Sequence, residues 1–407
     1  MTTWRARVLS PRSPDAVTWI DDAVVRIEAG VFTEVGPYDG RPVDADLRPG
    51  VLIPGFVDAH LHFPQTRIVG SASGPLLDWL ATSTFPEEER FAEPSHAALV
   101  ARHFVDRMAA AGTTLCMAYG SVHPAAADAL FTALAASGLR AIAGPVLMDA
   151  HSPAALTLPA DVALPALEAL ADRWHGHDDR LQVAVIPRFA LSCTPEMLRR
   201  AGELARRRGL WVSTHLAENV VECAVARERF DAPDYLSIYE DAGLLQEKSV
   251  YAHCIHLSDD EWDRFAASGA VVAHCPDSND FLGSGGMPLG AVQERAIPLA
   301  IGTDVAAGRS FRVPRILSAA YDNALRQGLS LSPAALLWAG TRGGAKALGF
   351  TRIGSVEAGF EADACLFRPP PWVTSAEGVL ASLIFDHDAP QMARTWVRGR
   401  QVWTDGS

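Results

Sequence analysis

The chain has 407 residues, 49% of them hydrophobic and 20% charged, and its 48 acidic against 35 basic side chains give a formal net charge of −13. That much apolar material buries a large core and excludes a disordered chain. The acidic balance works against the clustered Lys and Arg of phosphate-backbone binding, and no run reaches the roughly 18 apolar residues of a membrane span, so neither nucleic acid nor membrane is expected as a partner.

Taken in order, the opening Met1-Thr2-Thr3-Trp4-Arg5-Ala6-Arg7 enters an alternating strand pattern without an apolar leader, which predicts a cytoplasmic protein. Short strand patterns follow at Val17–Ile20, Ala23–Ile27 and Val31–Val35, separated by turn signals. Apolar runs then recur eight times, at Val51–Ile53, Thr114–Met117, Ala141–Ala143, Val183–Ile186, Trp211–Thr214, Val250–His253, Ala270–Ala273 and Leu299–Ile301. Helical patterns lie between most of them, among them Ala97–Ala111, Ala125–Ser137, Pro195–Arg208 and Asp259–Ser268. This alternation predicts a parallel (β/α)8 TIM barrel over residues 51–350, its strands apolar throughout because both faces are buried. Residues 1–50 and 351–407, the latter with strand patterns at Ala364–Phe367 and Thr395–Val397, are expected to pair into a small β-sandwich domain. Cys116, Cys193, Cys223, Cys254, Cys275 and Cys365 are scattered without a C-x-x-C pair, which predicts reduced, mostly buried thiols.

Residues with metal-ligand chemistry sit at the C-terminal ends of the barrel runs, where such barrels build their active sites. His60 and His62 occur in Pro54-Gly55-Phe56-Val57-Asp58-Ala59-His60-Leu61-His62, and their i, i+2 spacing turns both to one side of a strand. His215 begins His215-Leu216-Ala217-Glu218, and Asp304 ends Gly302-Thr303-Asp304. Three imidazoles and a carboxylate suit zinc with a position left open for water or substrate. Glu218 lies three residues past His215, within reach of the cavity without being a ligand, although a solvated loop acid is the alternative. His253 ends the sixth run, with a core histidine bonded to backbone as its alternative. His103, His256, His274 and His387 are expected to be structural. No H-x-E with P-C-x-x-C, no G-x-S-x-G elbow and no Walker A pattern is present.

The H-x-H run, His215-x-x-Glu218, His253 and Gly-Thr-Asp304 resemble the amidohydrolase superfamily in its mononuclear-zinc deaminase branch. Gly354-Ser355-Val356-Glu357-Ala358-Gly359 with Ala362-Asp363-Ala364 resembles that superfamily's return into its sandwich domain. Within the branch, His62-Phe63-Pro64-Gln65, Leu76-Leu77-Asp78-Trp79-Leu80, Thr84-Phe85-Pro86-Glu87, Pro187-Arg188-Phe189-Ala190, and His274-Cys275-Pro276 with Ser278-Asn279 resemble the guanine deaminases. The resemblance implies hydrolysis of guanine to xanthine and ammonia with one Zn²⁺ per subunit, iron being an acceptable substitute, in a homodimer. It implies His60, His62, His215 and Asp304 as metal ligands, and Glu218, His253 and Asp304 as catalytic residues. It further implies a substrate pocket of His62, Gln65, Arg188, Phe189, His215, Glu218 and Asp304. Arg188 suits a ring carbonyl and its neighbouring acceptor, and Gln65 can donate and accept along a heterocycle edge. Their plain alternatives are an Arg188 ion pair with Asp149 and core packing for Phe189. Ala81, Ser83, Asp277, Asp280 and Ala307-Gly308-Arg309 depart from the branch's pattern. With the same machinery, 8-oxoguanine, a pterin or an aminotriazine therefore stands as alternative substrate, and a non-catalytic binding or assembly protein as the alternative of another class.

Overall fold

Strand and helix periodicities build two sheets, seen in a computed structural model that describes residues 1–71, 74–388 and 392–406. Strands β1 (Thr2–Ser13), β2 (Ala16–Glu28) and β3 (Val31–Pro37) form an antiparallel meander, and β4 (Ala45–Pro54) returns parallel to β1. The barrel strands are β5 (Phe56–His62), β6 (Thr113–Tyr119), β7 (Arg140–Gly144), β9 (Leu181–Pro187), β10 (Trp211–Leu216), β11 (Ser249–His253), β12 (Val271–His274) and β13 (Leu299–Ile301). They pair in parallel in that order, with the two-residue β8 (Val146–Leu147) beside β9. Finally β14 (Ala364–Phe367), β15 (Met392–Val397) and β16 (Arg400–Thr404) join the first sheet, whose order is β16-β15-β14-β4-β1-β2-β3.

That seven-stranded sheet folds over on itself, giving the two facing layers expected of a small sandwich. Trp4 on β1 and Trp396 on β15 lie with ring centroids 4.8 Å apart although two strands separate them in the sheet. Backbone bonds Phe32 N–H to Phe360 O and Ala362 N–H to Gly30 O, both 2.8 Å, draw the far edge inward. Trp4, Val8, Val25, Phe32, Leu52 and Leu366 fill the space between the layers.

One strand differs from expectation. The run Val51–Ile53 does not open the barrel but belongs to β4, with Leu52 opposite Val8 on one side and Leu366 on the other. An apolar run buried on both faces reads alike in either sheet, so periodicity does not tell them apart. The first barrel strand is Phe56–His62, reached through Gly55, where a Cβ would lie 2.2 Å from the Thr114 hydroxyl. The helical patterns form as expected, Pro195–Arg208 and Asp259–Ser268 to the residue. The first begins earlier, at Pro94, because the Glu93 side chain accepts from Ser95 N–H and caps it. No helix among the described residues is long and apolar enough to cross a membrane.

Two features position the site. The barrel closes between β5 and the residues just beyond β13, where Asp304 N–H donates to His60 O (2.8 Å) and His62 N–H to Val305 O (2.9 Å). At the start of β7, the buried Arg140 donates to Asp363 Oδ2 and to Glu361 Oε2, each at 2.6 Å, tying barrel to terminal sheet. Arg140 and Asp363 are both 1% exposed. Asp363→Ala strands the guanidinium without its carboxylate and is expected to lower stability by about 3 kcal/mol in urea denaturation. A loss near zero would show that Glu361 alone suffices.

Candidate active site

The structure brings together His60, His62, His215 and Asp304, whose ligand atoms all lie within 4.8 Å of one another and are buried. His60 Nε2 and His62 Nε2 are each 3.3 Å from Asp304 Oδ1, and His215 Nε2 is 3.2 Å from His62 Nε2. The set fits a metal ion. Both ring nitrogens of His60 are buried with no hydrogen-bond partner among the described residues, an arrangement that is costly unless a cation occupies the space between the ligands. His215 Nδ1 donates to Arg188 O at 2.6 Å, which fixes its tautomer and turns the Nε2 lone pair inward. Burial lowers the pKa of all three imidazoles, that of His62 to about 4, so they are neutral donors at pH 7. Burial opposes ionisation of Asp304, but its contacts with His60 and His62 hold the carboxyl well below its ordinary range. Behind the ligands, the Asp58 carboxyl accepts from Thr303 N–H (2.9 Å), the Thr303 hydroxyl and His60 N–H (3.3 Å), and burial pushes it up to about 7.

Glu218 is 2% exposed and faces the cluster, which removes the solvated-loop alternative. Its position is set by Glu222 in the first turn of the helix Val220–Phe230. Glu222 Oε2 accepts from Glu218 N–H (2.9 Å) and Asn219 N–H (3.0 Å), and Oε1 from the Tyr235 hydroxyl (2.7 Å). Burial, reinforced by the charges of Asp304 and Glu222, raises the Glu218 carboxyl well above its ordinary value, which favours its proton-carrying form. His253 is oriented by a side chain, not by backbone: its Nδ1 meets Asn279 Oδ1 at 2.8 Å, leaving Nε2 at 3.5 Å from Glu218 Oε2 and 3.8 Å from Asp304 Oδ2. Ala217, His253 and Asp304 have φ of 51°, 73° and 48°. Non-glycine residues rarely hold such left-handed backbone, and they cluster at functional sites.

A cavity opens on this cluster, lined by His62, Gln65, Arg188, Phe189, His215, Glu218 and Asp304, with Leu76, Trp79, Leu80, Leu282 and Ala307 as further walls. Arg188 is not paired with Asp149, which instead accepts from Thr194 N–H and Oγ1 at 2.7 Å each. Its partner is Glu88: Arg188 Nη1 lies 2.6 Å from Glu88 Oε2, and Gln65 Nε2 donates to Glu88 Oε1 at 3.1 Å. Gln65 Oε1 accepts from Ala306 N–H at 3.0 Å, so the expected acceptor half of this amide is engaged by protein, and a second Nε2 hydrogen remains. Glu88 was hidden from sequence reading in the run Glu87-Glu88-Glu89, which looks like a solvated face; only its 1% exposure marks it. Three of the departures from the family pattern also resolve. Asp277 accepts from Arg309 N–H (2.8 Å) and Nη2 (2.6 Å), so two of them form one ion pair, and Asp280 pairs with Arg326 at the surface. Of the departing residues only Ala307 lines the cavity.

A family model described as the amidohydrolase family matches residues 51–402. The guanine deaminase of Escherichia coli (strain K12) is 35% identical over 364 residues, spanning 87% of this chain and 83% of its own length. The solved E. coli guanine deaminase aligns with a TM-score of 0.95 and 32% identity over 100% of both chains. Guanine deaminase from C. acetobutylicum, solved with guanine bound in the active site, aligns at 0.93 with 26% identity over 99% of this chain and 100% of that one. A zinc-bound adenosine deaminase from Xanthomonas campestris aligns at 0.85 with 27% identity, covering 98% of this chain and 92% of its own.

Asp304→Ala removes the carboxylate that faces two imidazoles. Purified variant protein is expected to retain little divalent metal by elemental analysis while its far-ultraviolet circular dichroism is unchanged; wild-type metal content would exclude Asp304 from the ligand set.

Proposed function

The chain belongs to the amidohydrolase family, and we propose that its reaction is the zinc-dependent hydrolytic deamination of guanine to xanthine and ammonia. The observation that carries this reading is a single cavity with two unlike walls. One wall holds the His62 and His215 imidazoles, Asp304 and Glu218, and the other holds the donors of Arg188 and Gln65. Guanine presents two neighbouring acceptors, its carbonyl oxygen and N7, whereas adenine places an amino donor beside N7. A wall of donors therefore selects guanine and rejects adenine, because an unpaired buried donor is costly. The likeness to guanine deaminases over nearly the whole chain supports the same substrate.

His60, His62, His215 and Asp304 would hold zinc, a metal supported by the zinc-bound relative, although the same ligand types accept iron. When bound, the ion supplies Lewis acidity that lowers the pKa of water from 15.7 toward roughly 7. The remaining steps belong to the chain's own residues. Asp304 Oδ2 accepts a proton from the attacking water, and His253 Nε2, aimed between Asp304 and Glu218, orients that water. Glu218 gives its proton to the ring nitrogen beside the attacked carbon, offsetting the charge that develops there. The proton on Asp304 then moves to the amino group, which leaves as ammonia, and the new hydroxyl returns a proton to Glu218 as the carbonyl forms. One zinc per subunit and a homodimer, as the resemblance implies, and a cytoplasmic location complete the reading. The other amino-heterocycles gain nothing from the departures, most of which lie outside the cavity, and a non-catalytic role leaves the raised Glu218 unexplained.

Ammonia release from metal-replete protein is the direct test, against guanine, 8-oxoguanine, adenine, a pterin and an aminotriazine with a chelator-treated control. Chelator-sensitive turnover of guanine in preference to the others is expected, and an inert guanine beside another active compound would overturn the substrate. Glu218→Gln should keep its metal and lose at least about a hundredfold in kcat. Near-normal kcat would remove Glu218 from the proton path.

A further inference from the structure

Resting on the guanine reading, we propose that Glu88 is a positioning residue for specificity: it fixes Arg188 and Gln65 as a wall of hydrogen-bond donors, and so makes the site choose substrates with a ring carbonyl. Glu88 does not line the cavity; it sits behind it, with one carboxylate oxygen engaged by each of the two polar side chains that do. Glu88, Gln65 and Arg188 are 1%, 1% and 3% exposed, so water does not offer them alternative partners.

The polarity of the wall follows from this arrangement. An amide can present either its oxygen or its nitrogen, and Gln65 is locked by two constraints. The Glu88 carboxylate only accepts, which demands Nε2 on that side, and Ala306 N–H only donates, which demands Oε1 on the other. What Gln65 has left for the cavity is a donor. Arg188 has no acceptor in any state, and the 2.6 Å bond through Nη1 holds its plane while its other N–H groups stay available. The Phe85 ring, 5.5 Å from the guanidinium carbon, supports the same plane. A neutral amide at position 88 offers one acceptor in place of two. It can satisfy Arg188 or Gln65 but not both, and it meets the other with the wrong polarity.

The test compares Glu88→Gln, Glu88→Asp and wild type on guanine and on 2-aminopurine, which keeps the amino-bearing carbon and lacks the carbonyl. Glu88→Gln is expected to lower kcat/KM for guanine about thirtyfold, mainly through KM, and to change that for 2-aminopurine less than about threefold, so the preference falls about tenfold. Glu88→Asp keeps both acceptors on a shorter arm and should fall between. Metal content is measured in parallel and should stay at the wild-type level. An equal loss on both substrates, or an unchanged preference, would overturn the inference and reduce Glu88 to a structural ion pair. If Glu88→Gln does not accumulate as folded protein, the Glu88→Asp comparison decides by the same criterion. Failure of the wild-type protein to release ammonia from guanine would instead overturn the functional reading itself.

Discussion

The site depends on the closure of the barrel seam. His60 and Asp304 come from opposite ends of the barrel sequence, and what brings them together is main-chain pairing across β5 and the residues after β13. Asp58 strengthens the same seam from behind, joining Thr303 across a sequence separation of 245. Ligand geometry is thus a property of the closed sheet, fixed by hydrogen bonds that cannot form unless all eight strands have found their register. The left-handed backbone at Asp304 is held in place by these same bonds.

Burial makes each carboxyl group near the cavity answer to specific neighbours. Asp304 is held low by His60 and His62, whereas Glu218, buried and facing like charges, is pushed upward. Glu88 is matched with Arg188, and Glu222 is bonded on both oxygens by N–H and hydroxyl donors. Two carboxyl groups a few residues' reach apart are therefore shifted in opposite directions, the separation on which acid and base chemistry at one pH rests.

Much of this was legible in the sequence because the chemistry is local there. The i, i+2 spacing of His60 and His62 and the three-residue step from His215 to Glu218 both act within one strand end. Six of the eight expected barrel runs fall within barrel strands and a seventh, Ala270–Ala273, begins one residue before its strand, since short apolar runs between amphipathic helices have few other solutions. What escaped was non-local. Val51–Ile53 is apolar on both faces in the terminal sheet as it would be in the barrel. Glu88 looks solvated until Arg188, a hundred positions away, is folded against it. Asp277 and Arg309 look like separate departures until their side chains meet.

The placement of β4 between β1 and β14 joins the first and last parts of the chain in one sheet. During synthesis, β1 to β4 are complete long before β14 to β16 exist, and until then the fully buried Val51, Leu52 and Ile53 line an open sheet edge. Unpaired apolar edges template intermolecular strand pairing. The hydrogen-bonding edge of this strand thus stays open through most of translation, until β14 pairs with it, and this makes chaperone protection a concern at the N-terminal end of the chain.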